Sequence, residues 1–197
     1  PGLDKIVLLG TSYGGMVALS FAVRYPPNVS HFIVIATAGS SRFFQRAKEI
    51  LAQRGNDEQK AIASRLWDGT FENEEQLSEY FQVMGPMYSL THNSSSRSGA
   101  LDKTILSVDA LNVAFGGFLR DYNVLEELHK ITSPTLVIGG RHDWICAPEF
   151  SEEIAKAIPN ADLRIFENSG HLIRADEPEA LLDVIAGFLV YQPTVGT

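Results

Sequence analysis

The sequence predicts an α/β fold: the C-terminal part of a mostly parallel sheet, with a helical segment inserted after the second strand. Three observations predict it. Two apolar runs, KIVLLG (5–10) and HFIVIAT (31–37), flank one helix-like run at 14–24. Strand, helix, strand at that spacing is a βαβ unit, which joins parallel strands. The rhythm then stops for about ninety residues of amphipathic, helix-periodic sequence, and resumes at TLVIG (135–139).

Taken in order, residues 5–10 are leucine-rich and β-branched without polar alternation, which suits a strand buried on both faces. Residues 14–24 are apolar on most sides and are stopped by Pro26-Pro27. Residues 31–37 repeat the buried-strand pattern. Three amphipathic segments come next: Phe43, Ala47, Ile50 and Leu51 share a face, as do Ile62, Leu66 and Trp67, and Leu77, Tyr80, Phe81 and Met84. Ser89 to Gly99 reads as a loop, and helical pieces are expected near 103–114 and 121–130. Beyond Pro134, residues 135–139 and 162–166 read as strands. Residues 148–158 and 178–190 read as helices with Pro148 and Pro178 in their first turns. The expected organisation is core 1–38, lid 39–130, core 131–190 and a tail at 191–197.

Bulk properties narrow the function. The chain has 197 residues, 45% of them hydrophobic, enough for one domain with a real core. The net charge of −8 and the lack of any basic tract argue against nucleic acid as a partner. Cys146 is the sole cysteine, so no internal disulfide or CxxC motif exists. No apolar run reaches the roughly 18 residues needed to span a membrane, and a cytoplasmic location is expected. The chain opens Pro1-Gly2 without Met, so its true beginning is expected upstream, and a signal peptide there is not assessable.

The chemistry sits at strand ends, where an open parallel sheet places its ligands. The first strand runs into Gly10-Thr11-Ser12-Tyr13-Gly14 and then a helix, the G-x-S-x-G pattern that presents a serine on a sharp turn. Alone it reads equally as a glycine-rich loop. A serine hydroxyl needs a base, and the base needs an orienting carboxylate. The strand at 135–139 ends in GGRHDW, offering Asp143, and the strand at 162–166 ends in ENSGH, offering His171. Singly, each reads as a solvated loop residue. Together they give the chain order Ser, Asp, His. The Tyr13 N–H, directly after the serine, is placed to donate to an oxyanion. His142 neighbours the acid and points away from it. Glu167 suits a structural role. Asp109 and Asp121 lie in or near the insertion. His31, His92 and His129 have neither strand-end positions nor metal-ligand spacing, so no metal is expected. Cys146 reads as a buried structural thiol.

These segments, GTSYGG (10–15), SPTLVIGGRHDW (133–144) and NSGHLIRADEP (168–178), resemble the α/β-hydrolase family over nearly the whole chain. The insertion and the stretch FLRDYNV (118–124) resemble the proline-iminopeptidase branch and its esterase or lactonase relatives. The resemblance implies Ser12 as nucleophile, His171 as general base, Asp143 as orienting acid and Tyr13 as one oxyanion donor, with no cofactor. It implies a substrate mouth between sheet and lid, with Trp67, Phe81, Met84, Met87, Tyr88 and Phe115 as candidate lining residues. The alternative for most of these is ordinary packing within the lid.

Two departures stand out. Iminopeptidases hold the substrate's amino terminus with lid glutamates, and one such position falls near Asn112, which lacks the charge to pair with an ammonium. The expected substrate is therefore a small ester, lactone or amide, with a prolyl aminopeptidase as the alternative and a non-catalytic binding protein as the alternative of another class. The family also has strands ahead of the serine turn and a His-Gly-Gly-type loop giving the second oxyanion donor, and neither is in this sequence. The expectation is that an N-terminal portion of the same protein completes the sheet beside Ile6–Leu9 and that this chain alone is inactive or nearly so.

Overall fold

The computed structural model describes residues 4–92 and 107–190. Four parallel strands lie in the order β1 (Ile6–Thr11), β2 (Val29–Ile35), β3 (Thr135–Gly140) and β4 (Ala161–Phe166). The polypeptide therefore moves across the sheet in one direction. Crossovers carry helix: α1 (Tyr13–Arg24) between β1 and β2, and α6 (Pro148–Ala157) between β3 and β4.

Alternate residues of β2 face opposite ways, and both faces are covered. Phe32 and Val34 pack with Leu19 and Ala22 of α1 and Ile154 of α6. Ile33 and Ile35 pack with Ile138, Phe166 and Leu181 on the other side, under α8 (Pro178–Val190), which the short α7 (Ile173–Asp176) precedes. Burial on two faces is why the β2 and β3 sequences carry no polar alternation. The outer edge of β1 differs: no described strand pairs with it, and Val7 and Leu9 are about half exposed.

Between β2 and β3 stand α2 (Phe43–Arg54), α3 (Asp57–Asp68), α4 (Glu74–Tyr88) and α5 (Val108–Phe115). Their starts are chemically marked. Asn56 and Gln59 form a reciprocal capping box, and Asn73 and Ser107 cap α4 and α5 through their side-chain oxygens. The insertion closes on itself at its base: Ser41 N–H donates to Tyr122 O (2.6 Å) and Val124 N–H to Gly39 O (2.8 Å). Arg42 and Arg46, at the start of α2, reach Glu153 and Glu149 of α6, each at 2.6 Å, which ties α2 to the sheet domain.

The sequence led to one helix at 121–130. The backbone instead makes two 3-10 segments, Phe118–Asp121 and Leu125–Lys130. Asn123, whose side chain accepts from Leu125 N–H, separates them at the neck of the insertion. The second segment buries Leu128 against α1 and α6, so it packs with the sheet domain and not with the inserted helices. The start of the helix expected near 103–114, most of the loop at 89–99 and the tail at 191–197 lie outside the described residues.

Candidate active site

Ser12 stands between β1 and α1 with φ 52° and ψ −126°, a conformation that costs a non-glycine residue about 1–3 kcal/mol unless its surroundings enforce it. They do. Its N–H donates to Ile35 O at 2.9 Å, and its carbonyl accepts from Gly15 N, Met16 N and the Thr37 hydroxyl (2.8 Å). Thr37 is itself fully buried. The flanking glycines play unequal parts. A Cβ on Gly10 would lie 2.5 Å from Gly14 O and 2.7 Å from the Ala18 Cβ, whereas one on Gly14 would meet nothing within 4 Å. The second close approach is at Gly15, where a Cβ would lie 2.6 Å from the Thr37 Cβ. The G-x-S-x-G spacing points to Gly14 as the second sterically required glycine, and the structure moves that requirement to Gly15.

Asp143 follows β3 and is buried, at 1% exposed. One oxygen accepts from the backbone N–H groups of Ile145 and Cys146, both at 2.9 Å. The other lies 2.7 Å from His171 Nδ1, and His171 Nε2 lies 2.9 Å from Ser12 Oγ. A carboxylate only accepts, so the proton belongs on Nδ1 and Nε2 is left to accept from the serine hydroxyl. Three loops separated in sequence by up to 159 residues thereby form one hydrogen-bonded line. The Tyr13 N–H opens α1, where first-turn donors have no intrahelical acceptor and the helix dipole favours negative charge.

The loops that carry Asp143 and His171 are joined directly. His142 N–H donates to Ser169 O and Arg141 N–H to Phe166 O, both at 2.9 Å. Gly140 is needed there, because a side chain would run into the Ser169 and Gly170 carbonyls. Arg141 and Glu167 form a two-pronged pair at 2.6 and 2.8 Å, so Glu167 has the structural role expected of it. Glu177 accepts from the Ser169 hydroxyl (2.6 Å) and Asn168 N–H (3.2 Å). Asp176 accepts from Gly170 N–H, Ser89 Oγ and Thr91. Neither Asp176 nor Glu177 was singled out in the sequence, although both stand in NSGHLIRADEP, ahead of Pro178.

Other groups can be placed. Cys146 is buried, and burial followed by the nearby Asp143 charge pushes its thiol well up, so it stays protonated. His142 and Asp121 are exposed, and neither is joined to the Ser12 line. Asn112 of α5 spends both ends of its amide on one backbone residue: its oxygen accepts from Phe71 N–H at 3.0 Å and its nitrogen donates to Phe71 O at 2.7 Å.

Of the lid residues, Trp67, Met84, Met87, Tyr88 and Phe115 are each no more than 8% exposed and sit in one aromatic-rich core with Trp144. Phe81 packs at its margin. Tyr88 stands edge-on to His171, with ring centres 5.4 Å apart. Phe118, missed in the sequence, is half exposed, and its ring centre is 6.2 Å from that of Tyr13. Its place in FLRDYNV (118–124) was the available signal, since its exposure and its approach to Tyr13 are set by tertiary packing. A large groove of about 460 Å³, between α8 and β4, is lined by Leu136, Asp162, Arg164 and Phe188 and by none of Ser12, Asp143 or His171.

The model of the alpha/beta hydrolase fold family matches residues 2–178. The chain belongs to the α/β-hydrolase fold family. Among curated α/β-hydrolase relatives, it is 29% identical to a proline iminopeptidase of Pestalotiopsis fici over 94% of this chain and 67% of that protein. It is 30% identical to a proline iminopeptidase of Saccharolobus solfataricus over 95% of this chain and 63% of that one. Among solved structures, an alpha/beta fold family hydrolase from Bacillus anthracis superposes with a TM-score of 0.76 at 25% identity, covering 94% of this chain and 67% of that one. A thermophilic esterase from Thermogutta terrifontis gives 0.66 at 27%, covering 94% and 65%. The chain thus spans about two thirds of the length of the α/β-hydrolases it matches. Among the described residues, no helix is long and apolar enough to cross a membrane.

Proposed function

We propose that this chain carries the nucleophile, base and acid of a serine hydrolase acting on small carboxylic esters, lactones or amides. Ser12 Oγ attacks the substrate carbonyl while His171 Nε2 takes its proton. Asp143 holds the imidazole and stabilises its charged form, and Tyr13 N–H donates to the developing oxyanion. The acyl group on Ser12 is then released by water that His171 activates. The observation that carries this reading is the unbroken line Ser12–His171–Asp143 at 2.9 and 2.7 Å. A second oxyanion donor and the strands that pair with β1 are assigned to an N-terminal portion of the same protein. The unpaired apolar edge at Val7 and Leu9 and the greater length of the relatives support that assignment. The inserted helices are assigned as a lid over Ser12, with Tyr88 beside His171 and Phe118 beside Tyr13 nearest the reacting line and Phe81 at the margin, while Trp67, Met84, Met87 and Phe115 pack its interior. The cytoplasm is the location proposed.

A prolyl aminopeptidase is the second reading, favoured by the names of the curated relatives. Against it stands Asn112, an uncharged residue whose amide is committed to Phe71, where an ammonium would need a carboxylate. The complete protein assayed side by side on an aryl ester and a proline arylamide separates the two. The higher kcat/KM is expected on the ester, and preference for the arylamide would establish the peptidase.

A further inference from the structure

The His171 loop does not rest on the sheet domain alone. Its backbone is fastened to the C-terminal end of α4, in part through the Asp176 carboxylate. Asp176 Oδ2 accepts from Gly170 N–H at 2.8 Å, one residue from the base. Asp176 Oδ1 accepts from the Ser89 hydroxyl at 2.6 Å, the Thr91 hydroxyl at 2.9 Å and Thr91 N–H at 3.0 Å. Burial raises the carboxyl's proton affinity, but the hydrogen bonds from Ser89, Gly170 and Thr91 outweigh it and hold the group below its ordinary range. It is a charged acceptor, and its bonds are correspondingly strong.

Three further contacts run along the same seam. Leu172 N–H donates to Tyr88 O at 2.9 Å, the Thr91 hydroxyl reaches Ala175 O at 3.2 Å, and the Tyr88 ring stands against the imidazole. Tyr88 is itself held by a buried 2.8 Å hydroxyl contact to Tyr80 of the same helix. Residues 170 and 172, on either side of His171, are therefore both tied to the end of α4, the first through Asp176 and the second directly. The Asp143 side fixes where Nδ1 points, and the α4 side fixes where the backbone beneath the ring sits.

We propose that Asp176 is a positioning residue for His171: its carboxylate couples the seating of α4 to the distance between the imidazole and Ser12 Oγ. The proposal rests on the serine-hydrolase reading and adds to it the group that sets where the base sits. The consequence falls on the chemical step and not on ground-state affinity, because no atom of Asp176, Ser89 or Thr91 belongs to the reacting line.

The test compares Asp176→Asn, Thr91→Val and Thr91→Ser in the complete protein. In Asp176→Asn one acceptor becomes an amide that cannot accept from both Gly170 and the α4 side. Thr91→Val removes the hydroxyl at constant shape, and Thr91→Ser restores it. Three readouts are taken: kcat and KM on an aryl ester, the rate constant for phosphonylation of Ser12 by a fluorophosphonate, and the downfield Nδ1–H proton resonance of His171. Displacing a catalytic group by up to an ångström is expected to lower kcat and the phosphonylation rate together by about tenfold or more in the first two variants. KM stays within about twofold, a change too small to represent lost binding, and Thr91→Ser returns both rates. Rates unchanged in Asp176→Asn and Thr91→Val while the melting temperature falls would overturn the proposal, as would a rise in KM alone. If Asp176→Asn does not fold, the Thr91 pair decides. If the wild-type protein is not phosphonylated at all, the hydrolase reading fails and the Nδ1–H resonance decides the coupling by itself. The resonance moves in Thr91→Val and returns in Thr91→Ser if Asp176 positions the ring, and stays put in both if it does not.

Discussion

Asp143→Asn is expected to lower kcat by about 10⁴ while leaving the fold intact. The reason lies in how the carboxylate is held. One oxygen is pinned by the N–H groups of Ile145 and Cys146, each at 2.9 Å, and an asparagine can satisfy those donors only with its carbonyl oxygen. Its NH₂ then faces His171 Nδ1, where Asp143 now accepts at 2.7 Å. Two donors cannot meet, so the imidazole takes the other tautomer, with the proton on Nε2. That nitrogen lies 2.9 Å from Ser12 Oγ and can no longer accept the serine proton. Steady-state kinetics on an ester, with circular dichroism to verify folding, measures this. A loss under about tenfold would mean that the tautomer is not what Asp143 controls.

Gly10→Ala is expected to be strongly damaging, costing several kcal/mol of stability, on the order of severe overpacking. The added methyl would sit 2.5 Å from Gly14 O, 2.7 Å from the Ala18 Cβ and 2.8 Å from the Gly15 Cα. None of these is the end of a flexible side chain, so relief requires β1 and α1 to separate, which displaces Ser12. Gly14→Ala is the matched control. Its Cβ enters open space, its residue is helical, and alanine is favoured over glycine in a helix by up to about 1 kcal/mol. Chemical denaturation of the two variants is expected to give a large loss for the first and no loss for the second. Equal effects would contradict the packing account.

These two cases show what the sequence made legible and what it did not. The strands were readable because β2 and β3 are buried on both faces, and such strands cannot hide among polar residues. Ser12, Asp143 and His171 were readable because each directly follows a strand, and a parallel sheet collects its strand ends on one side. The unequal roles of Gly10, Gly14 and Gly15 were not readable, because G-x-S-x-G records spacing and not which Cβ would meet Thr37 or the helix backbone. Asp176 and Glu177 were passed over for a similar reason. Their partners, Ser89, Thr91 and Ser169, belong to loops whose approach depends on tertiary packing. Helix periodicity places Trp67, Met84 and Tyr88 on apolar faces but does not resolve whether such a face lines a mouth or packs against neighbouring helices, and here it packs. The two 3-10 segments in place of one helix at 121–130 reflect the neck at Ser40 and Asn123, a contact between residues far apart in the chain.

The most direct measurement of the central claim is covalent. The complete protein is treated with a fluorophosphonate and digested, and the modified residue is located by mass spectrometry, for the wild type and for His171→Ala. The predicted result is modification at Ser12 in the wild type and loss of that modification in His171→Ala. Modification at another residue, or equal modification of Ser12 without the imidazole, would contradict it.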